Sequence, residues 1–273
     1  MKNGSILLSF FLLFSSINGD ELQDPLEELN IKELQNDAVF VSLGSFCGPA
    51  GFTRSAGFRT AAFPFDWLVF PSEEKLIQLL NEDFLYFLDK NYLIPDHYLI
   101  PFYTGATLVN TYYHFQFCHD GTFHEGPEHN QNSNINMEKL IDKYTRRIQR
   151  FRELNNLQGR VFFIRSSYGD ALVNPNYAYK YESNLDISKD HALQIFDALK
   201  NRFPNPDIYL IIMNNKYLPD RENNEWITER ILITQVPPTS GDEALTKWYK
   251  ELFINLLSTT TEAIASLVLI DYK

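Results

Sequence analysis

Ala38-Val39-Phe40-Val41-Ser42-Leu43 is a run of mostly apolar residues halted by Gly44. A short continuous apolar run closed by a turn residue reads as a strand buried on both faces. Four further runs share the pattern, at residues 160–164, 207–213, 230–234 and 267–270. Helical patterns precede three of them, over 137–157, 189–202 and 243–264. The run at 230–234 instead follows a polar connector with a weak helical signal. Helix 137–157 has the clearest period, with Leu140, Ile141, Tyr144, Ile148, Phe151 and Leu154 at helical spacing before Gly159. Pro71 and Ser72 open a capped helix over 72–80. Residues 92–119 read as β structure or an ordered loop, and 121–136 as a loop. Continuous apolar strands separated by helices predict a three-layer α/β domain over 39–273, with a mostly parallel sheet of about five strands and helices on both faces. No linker and no internal repeat divides it.

The 273 residues are 44% hydrophobic and 22% charged, which excludes a disordered chain. A net charge of −11 argues against nonspecific nucleic-acid binding and against electrostatic attachment to anionic membranes. At the start, Lys2, the apolar stretch Ile6–Phe14 and the small-residue end Ser15–Gly19 have the order of a signal peptide, so residues 1–19 are expected to be removed by cleavage within 16–20. The stretch is too short to span a membrane. Residues 20–38 read as an acidic leader segment. The expected product is exported, secreted or periplasmic, with no stable membrane span. The sequon Asn3-Gly4-Ser5 lies inside the signal.

In an open α/β sheet ligands bind beyond the carboxyl ends of the strands. The first strand ends in Gly44-Ser45-Phe46-Cys47-Gly48-Pro49. A helix beginning near Cys47 would lower its thiol pKa through free amides and the helix dipole, and thiolate is the nucleophile. The competing reading is a small buried cysteine packed beside the sheet. Backbone amides of 45–48 would donate to an oxyanion, which places Ser45 and Gly48 among the substrate-binding candidates. Cys47 and Cys118 are expected not to be bonded to each other, since one opens a helix and the other adjoins His119.

Residues 42–67 read Ser-Leu-Gly-Ser-Phe-Cys-Gly-Pro-Ala-Gly-Phe-Thr-Arg-Ser-Ala-Gly-Phe-Arg-Thr-Ala-Ala-Phe-Pro-Phe-Asp-Trp. This resembles the opening motif of a bacterial family described as "putative papain-like cysteine peptidases", whose function is largely unknown. His119-Asp120 resembles the family's His-Asp pair, and Phe162-Phe163-Ile164-Arg165 its apolar strand ending in Arg; Gly121 departs from the aromatic expected there. The resemblance covers roughly 39–170 and implies Cys47 as nucleophile and a histidine as base. Its name also implies a papain-like fold of helices plus an antiparallel barrel, whereas the strand order reads as parallel α/β. Strand–Gly-x-x-Cys–helix is closer in layout to esterases of the SGNH type.

Six histidines are available as base: His97, His114, His119, His124, His129 and His191. His119 is the first choice and His114 the second; each alone also reads as a loop surface residue. The five-residue spacing of His114, His119, His124 and His129 suits neither a helical pair nor a zinc knuckle, so no metal and no cofactor is expected. Asp66 would orient the base as third member of a triad, or pair structurally with Arg54, Arg59 or Arg165. Arg165 would bind a substrate carboxylate or phosphate. Arg146, Arg147, Arg150 and Arg152 read as a solvated helix face. No Walker loop, Gly-x-Gly-x-x-Gly, His-Glu-x-x-His or Cys-x-x-Cys occurs. The expectation is an exported thiol hydrolase acting on an unidentified peptide, amide or ester through a Cys47 thioester, with Cys47, His119 and Arg165 converging at one end of the sheet. The alternative is a non-catalytic α/β binding module with an aromatic and Arg-lined cleft, carbohydrate being one ligand class.

Overall fold

The computed structural model describes residues 38–70, 72–96, 107–122, 136–167, 186–214, 224–236 and 242–258. In chain order the elements are β1 (Val39–Ser42), α1 (Gly48–Ser55), β2 (Leu68–Val69), α2 (Glu73–Asn81), β3 (Leu93–Asp96), β4 (Thr107–Asn110) and β5 (Phe115–Thr122). There follow α3 (Met137–Glu153) with a 3-10 turn at Leu154–Asn156, β6 (Arg160–Ser166), α4 (Lys189–Arg202), β7 (Asp207–Asn214), β8 (Asn224–Thr228), β9 (Ile231–Gln235) and α5 (Asp242–Ser258).

One sheet has the order β1-β6-β7-β9-β8. Its first four strands are parallel, in register Val41↔Phe163, Phe163↔Leu210 and Ile211↔Leu232. These are four of the five apolar runs expected as strands. The fifth, at 267–270, lies outside the described residues. The fifth strand of the sheet is β8, antiparallel to β9, within the connector read as polar with a weak helical signal. It escaped the reading because Asn224-Glu225-Trp226-Ile227-Thr228 is half-exposed at an edge, so no continuous apolar run marks it.

Alternate residues of a strand point to opposite faces, and the parallel strands feed two separate hydrophobic clusters. Val41, Phe163, Leu210 and Ile212 join one with Tyr144 and Ile148 of α3 and Ile195 and Leu199 of α4. Phe40, Phe162, Ile164 and Ile211 join the other with Phe52 of α1 and Tyr249 and Phe253 of α5. Full burial of each such side chain contributes about 1.5–3 kcal/mol. The helices begin where expected: Ser72 accepts from the Lys75 N–H, Asn136 from the Lys139 N–H and Ser188 from the His191 N–H.

The region expected as β structure or ordered loop supplies β3, β4 and most of β5 of a second sheet, antiparallel, in the order β2-β5-β4-β3, which β2 joins from outside that region. Its strand β5 runs to Thr122, past the point where a loop was expected to begin. Phe115 and Phe117 are fully buried and carry this strand against the first cluster. The mostly parallel main sheet departs from the antiparallel barrel that the family name implies.

The expected solvated arginine face of α3 is corrected. Arg147 and Arg150 are buried; Arg147 lies 5.1 Å over the Tyr144 ring, and Arg150 donates to the Ala62 carbonyl. Arg152 does reach the surface, bonded to Asp83 at 3.0 Å. The helical period locates the apolar stripe, but it does not show that loop carbonyls wait beside it. No helix among the described residues is long and apolar enough to cross a membrane.

Candidate active site

The turn after β1 is bent by two left-handed residues. Gly44 has φ +76° and Ser45 has φ +87°. The Leu43 N–H still donates to Ile164 O at 2.7 Å, the Gly44 N–H donates to Ser42 Oγ at 3.1 Å, and Ser45 O accepts from the Phe70 N–H at 3.0 Å. Glycine is required at 44 because an added Cβ would meet the Phe65 carbonyl at 3.1 Å in a left-handed conformation. Gly44→Ala is therefore expected to cost about 1–2 kcal/mol or more, read as a lowered denaturation midpoint. Ser45 carries the same strain without that freedom, and its buried hydroxyl has no partner among the described residues. Ser45→Gly relieves both costs and is expected to stabilise the chain by about 1 kcal/mol; a lowered melting temperature would overturn this account.

Cys47 is the N-cap of α1, with φ −69° and ψ −14°, and its carbonyl accepts from the Gly51 N–H at 2.9 Å. The helix thus starts at the residue expected to open it, with Pro49 in the first turn, where its missing N–H costs nothing. The first-turn amides of such a helix have no intrahelical acceptor and suit an anionic oxygen. Cys47 is a free thiol, 8% exposed. Burial pushes its pKa up to about 12, opposed by the residue's own backbone amide. This reverses the expected lowering: desolvation of a thiolate outweighs the local amide at this depth. Gly48 holds the Phe46 ring, since an added Cβ would lie 2.2 Å from Phe46 Cε2. The contact observed for Gly48, expected among the substrate-binding residues, is with that ring.

Asp66 has 1% exposure. Its Oδ2 accepts from Arg59 Nη2 at 2.9 Å, Arg59 Nε at 3.3 Å and the Phe63 N–H at 2.9 Å. Trp67 beside it lies under Arg54 at 5.9 Å and Arg59 at 5.5 Å. Of the two expected roles, the geometry describes the structural one, with Arg59 as partner.

Arg165 reaches the same end of the sheet as Cys47, because β1 and β6 are parallel and in register. It has no exposed surface. Its Nη1 donates to Leu43 O at 3.0 Å, and its Nη2 donates to Phe70 O at 2.5 Å and pairs with Glu73 Oε1 at 3.1 Å. The contacts observed for Arg165, expected as a substrate-binding residue, are with the framework. Glu73 was not anticipated. It looks like an ordinary first-turn acid of α2, and nothing local distinguishes it from Glu74.

Of the histidines, His119 lies on β5 with its side chain outside the described residues, as do His97, His124 and His129 altogether. His114 stands on the turn between β4 and β5 with φ +56° and an exposed outer edge; partial desolvation of its ring and then the Lys75 charge lower its pKa. His191 Nε2 pairs with Glu74 Oε1 at 3.0 Å, where α4 meets α2. Among the described residues no group of three His, Cys, Asp or Glu side chains is arranged to hold a metal.

No solved structure matches the chain. An uncharacterized protein of Acanthamoeba polyphaga mimivirus is 26% identical over 205 residues, covering 71% of this chain and 84% of its own. That relative is viral, whereas the motif resembles that of a bacterial family. Residues 38–176, which contain the Cys47 turn, the Arg59–Asp66 pair and Arg165, match the model of one family, and on that match this chain belongs to the family described as "Putative papain-like cysteine peptidase (DUF1796)".

Proposed function

We propose that the protein is an exported thiol hydrolase that cleaves a peptide, amide or ester through a thioester on Cys47. The observation that carries this reading is the position of Cys47 at the N-cap of α1, after a strained turn at the carboxyl end of the first parallel strand. In the reaction, a base takes the thiol proton and the sulfur attacks the carbonyl carbon. The carbonyl oxygen becomes an oxyanion facing the amides of 45–48. Collapse breaks the C–N or C–O bond, and the leaving group takes the proton. Water then hydrolyses the thioester and restores the thiol. His119 is the proposed base. Such a base is needed because a thiol with a pKa near 12 holds almost no thiolate at neutral pH. Asp66 and Arg165 enter this reading as framework.

Incubation with activated esters and peptide amides, followed by intact-mass measurement, tests the proposal. The expected result is an acyl adduct mapped to Cys47, absent in Cys47→Ala and slowed in His119→Ala. Hydrolysis that survives in Cys47→Ala would remove the reading. Export is tested by N-terminal sequencing of the mature chain, which should begin within 17–20; a chain beginning at Met1 counts against it. The burial of the thiol favours one competing reading, a non-catalytic α/β binding module in which Cys47 only packs. Absence of any acyl adduct with every substrate class would select it.

A further inference from the structure

Two backbone carbonyls and one carboxylate meet at the Arg165 guanidinium. It holds Leu43 O, the last carbonyl before the left-handed pair, and Phe70 O, the carbonyl that precedes α2. Phe70 in turn donates its N–H to Ser45 O, in the middle of the turn. Entry and centre of the turn are therefore both tied to the segment Phe70–Glu73, and Arg165 is the common member. A planar fork spreads its donors over separate nitrogens and so reaches acceptors that lie apart, whereas the three donors of a lysine ammonium share one nitrogen. The pair is not optimised for stability alone. Arg165 Nε and Glu73 Oε2 are buried without partners among the described residues, and a buried ion pair left incomplete adds little over apolar packing.

We propose that Arg165, anchored by Glu73, is a positioning residue for the Cys47 turn: it fixes the Gly44–Ser45 step and so sets where the thiol sits and what reaches it. The proposal rests on reading Cys47 as the nucleophile, yet its test measures the turn and not hydrolysis. The full-length protein is treated with iodoacetamide at pH 8, and modification of Cys47 is followed by peptide mass mapping. Arg165→Lys keeps the charge and loses the fork; Glu73→Gln removes the anchor's charge. Ile231→Ala truncates a buried residue of β9, two strands away from β6, and serves as the destabilised control. Arg165→Lys is expected to modify Cys47 about tenfold faster than the parent, and Glu73→Gln several-fold faster. Ile231→Ala should match the parent once its unfolded fraction, taken from its melt, is subtracted. Parent-like rates in both pair variants would overturn the proposal, as would equal acceleration in Ile231→Ala. Should Arg165→Lys fail to fold, Glu73→Gln decides by the same criteria. Loss of the nucleophile reading shows separately, as hydrolysis retained in Cys47→Ala.

Discussion

Asp66→Ala is expected to lower stability by about 3–5 kcal/mol, the cost of removing one partner from a buried ion pair. Both side chains of the Arg59–Asp66 pair are 2% exposed, and one carboxylate oxygen collects all three bonds. Truncation leaves the guanidinium charged and enclosed, and it also strips the Phe63 N–H of its acceptor. The loss is therefore larger than that of a surface ion pair, which is worth about 0–1 kcal/mol. Equilibrium denaturation of the variant measures it. The double variant Arg59→Met/Asp66→Leu should recover most of the loss, because no charge remains to be desolvated. A triad role for Asp66 predicts a different pattern: slower turnover with a nearly unchanged denaturation midpoint. Midpoints that coincide for Asp66→Ala and the parent would refute the structural assignment.

The second large effect concerns Cys47. With its pKa pushed up from 9.0 to about 12, alkylation at pH 8 is expected to be about a thousandfold slower than that of an unperturbed cysteine, in proportion to thiolate. The rate should climb about tenfold per pH unit and show no plateau near pH 9. Peptide mapping separates Cys47 from Cys118. Fast labelling at pH 7 would contradict a buried, protonated resting thiol. The same group carries a stability consequence. A thiol whose folded pKa is raised holds its proton where the unfolded chain has lost it. Its contribution is fully present below the unfolded value of 9.0 and is lost as pH rises toward the folded value of about 12. Cys47→Ala should flatten that part of the alkaline stability profile.

Most of the parallel sheet and its helices is legible in the residue pattern. Val39–Ser42, Arg160–Ser166, Asp207–Asn214 and Ile231–Gln235 each carry a continuous apolar run of three residues or more because both faces of those strands are covered. Ser72, Asn136 and Ser188 mark helix starts because capping is local. The same locality placed Cys47 at a helix start. Partnerships between distant segments come from the folded chain alone. Edge strand β8 lacks a buried pattern of its own and exists because β9 offers hydrogen bonds. Asp66 has three candidate arginines in sequence and one in space. Arg165 meets Glu73 across 92 positions, and Arg150 meets Ala62 across 88. Charge says that a buried group needs a partner, and chain order does not say which one. The Cys47 pKa follows the same rule: the helix start that would lower it is written in the sequence, and the burial that outweighs it comes from packing.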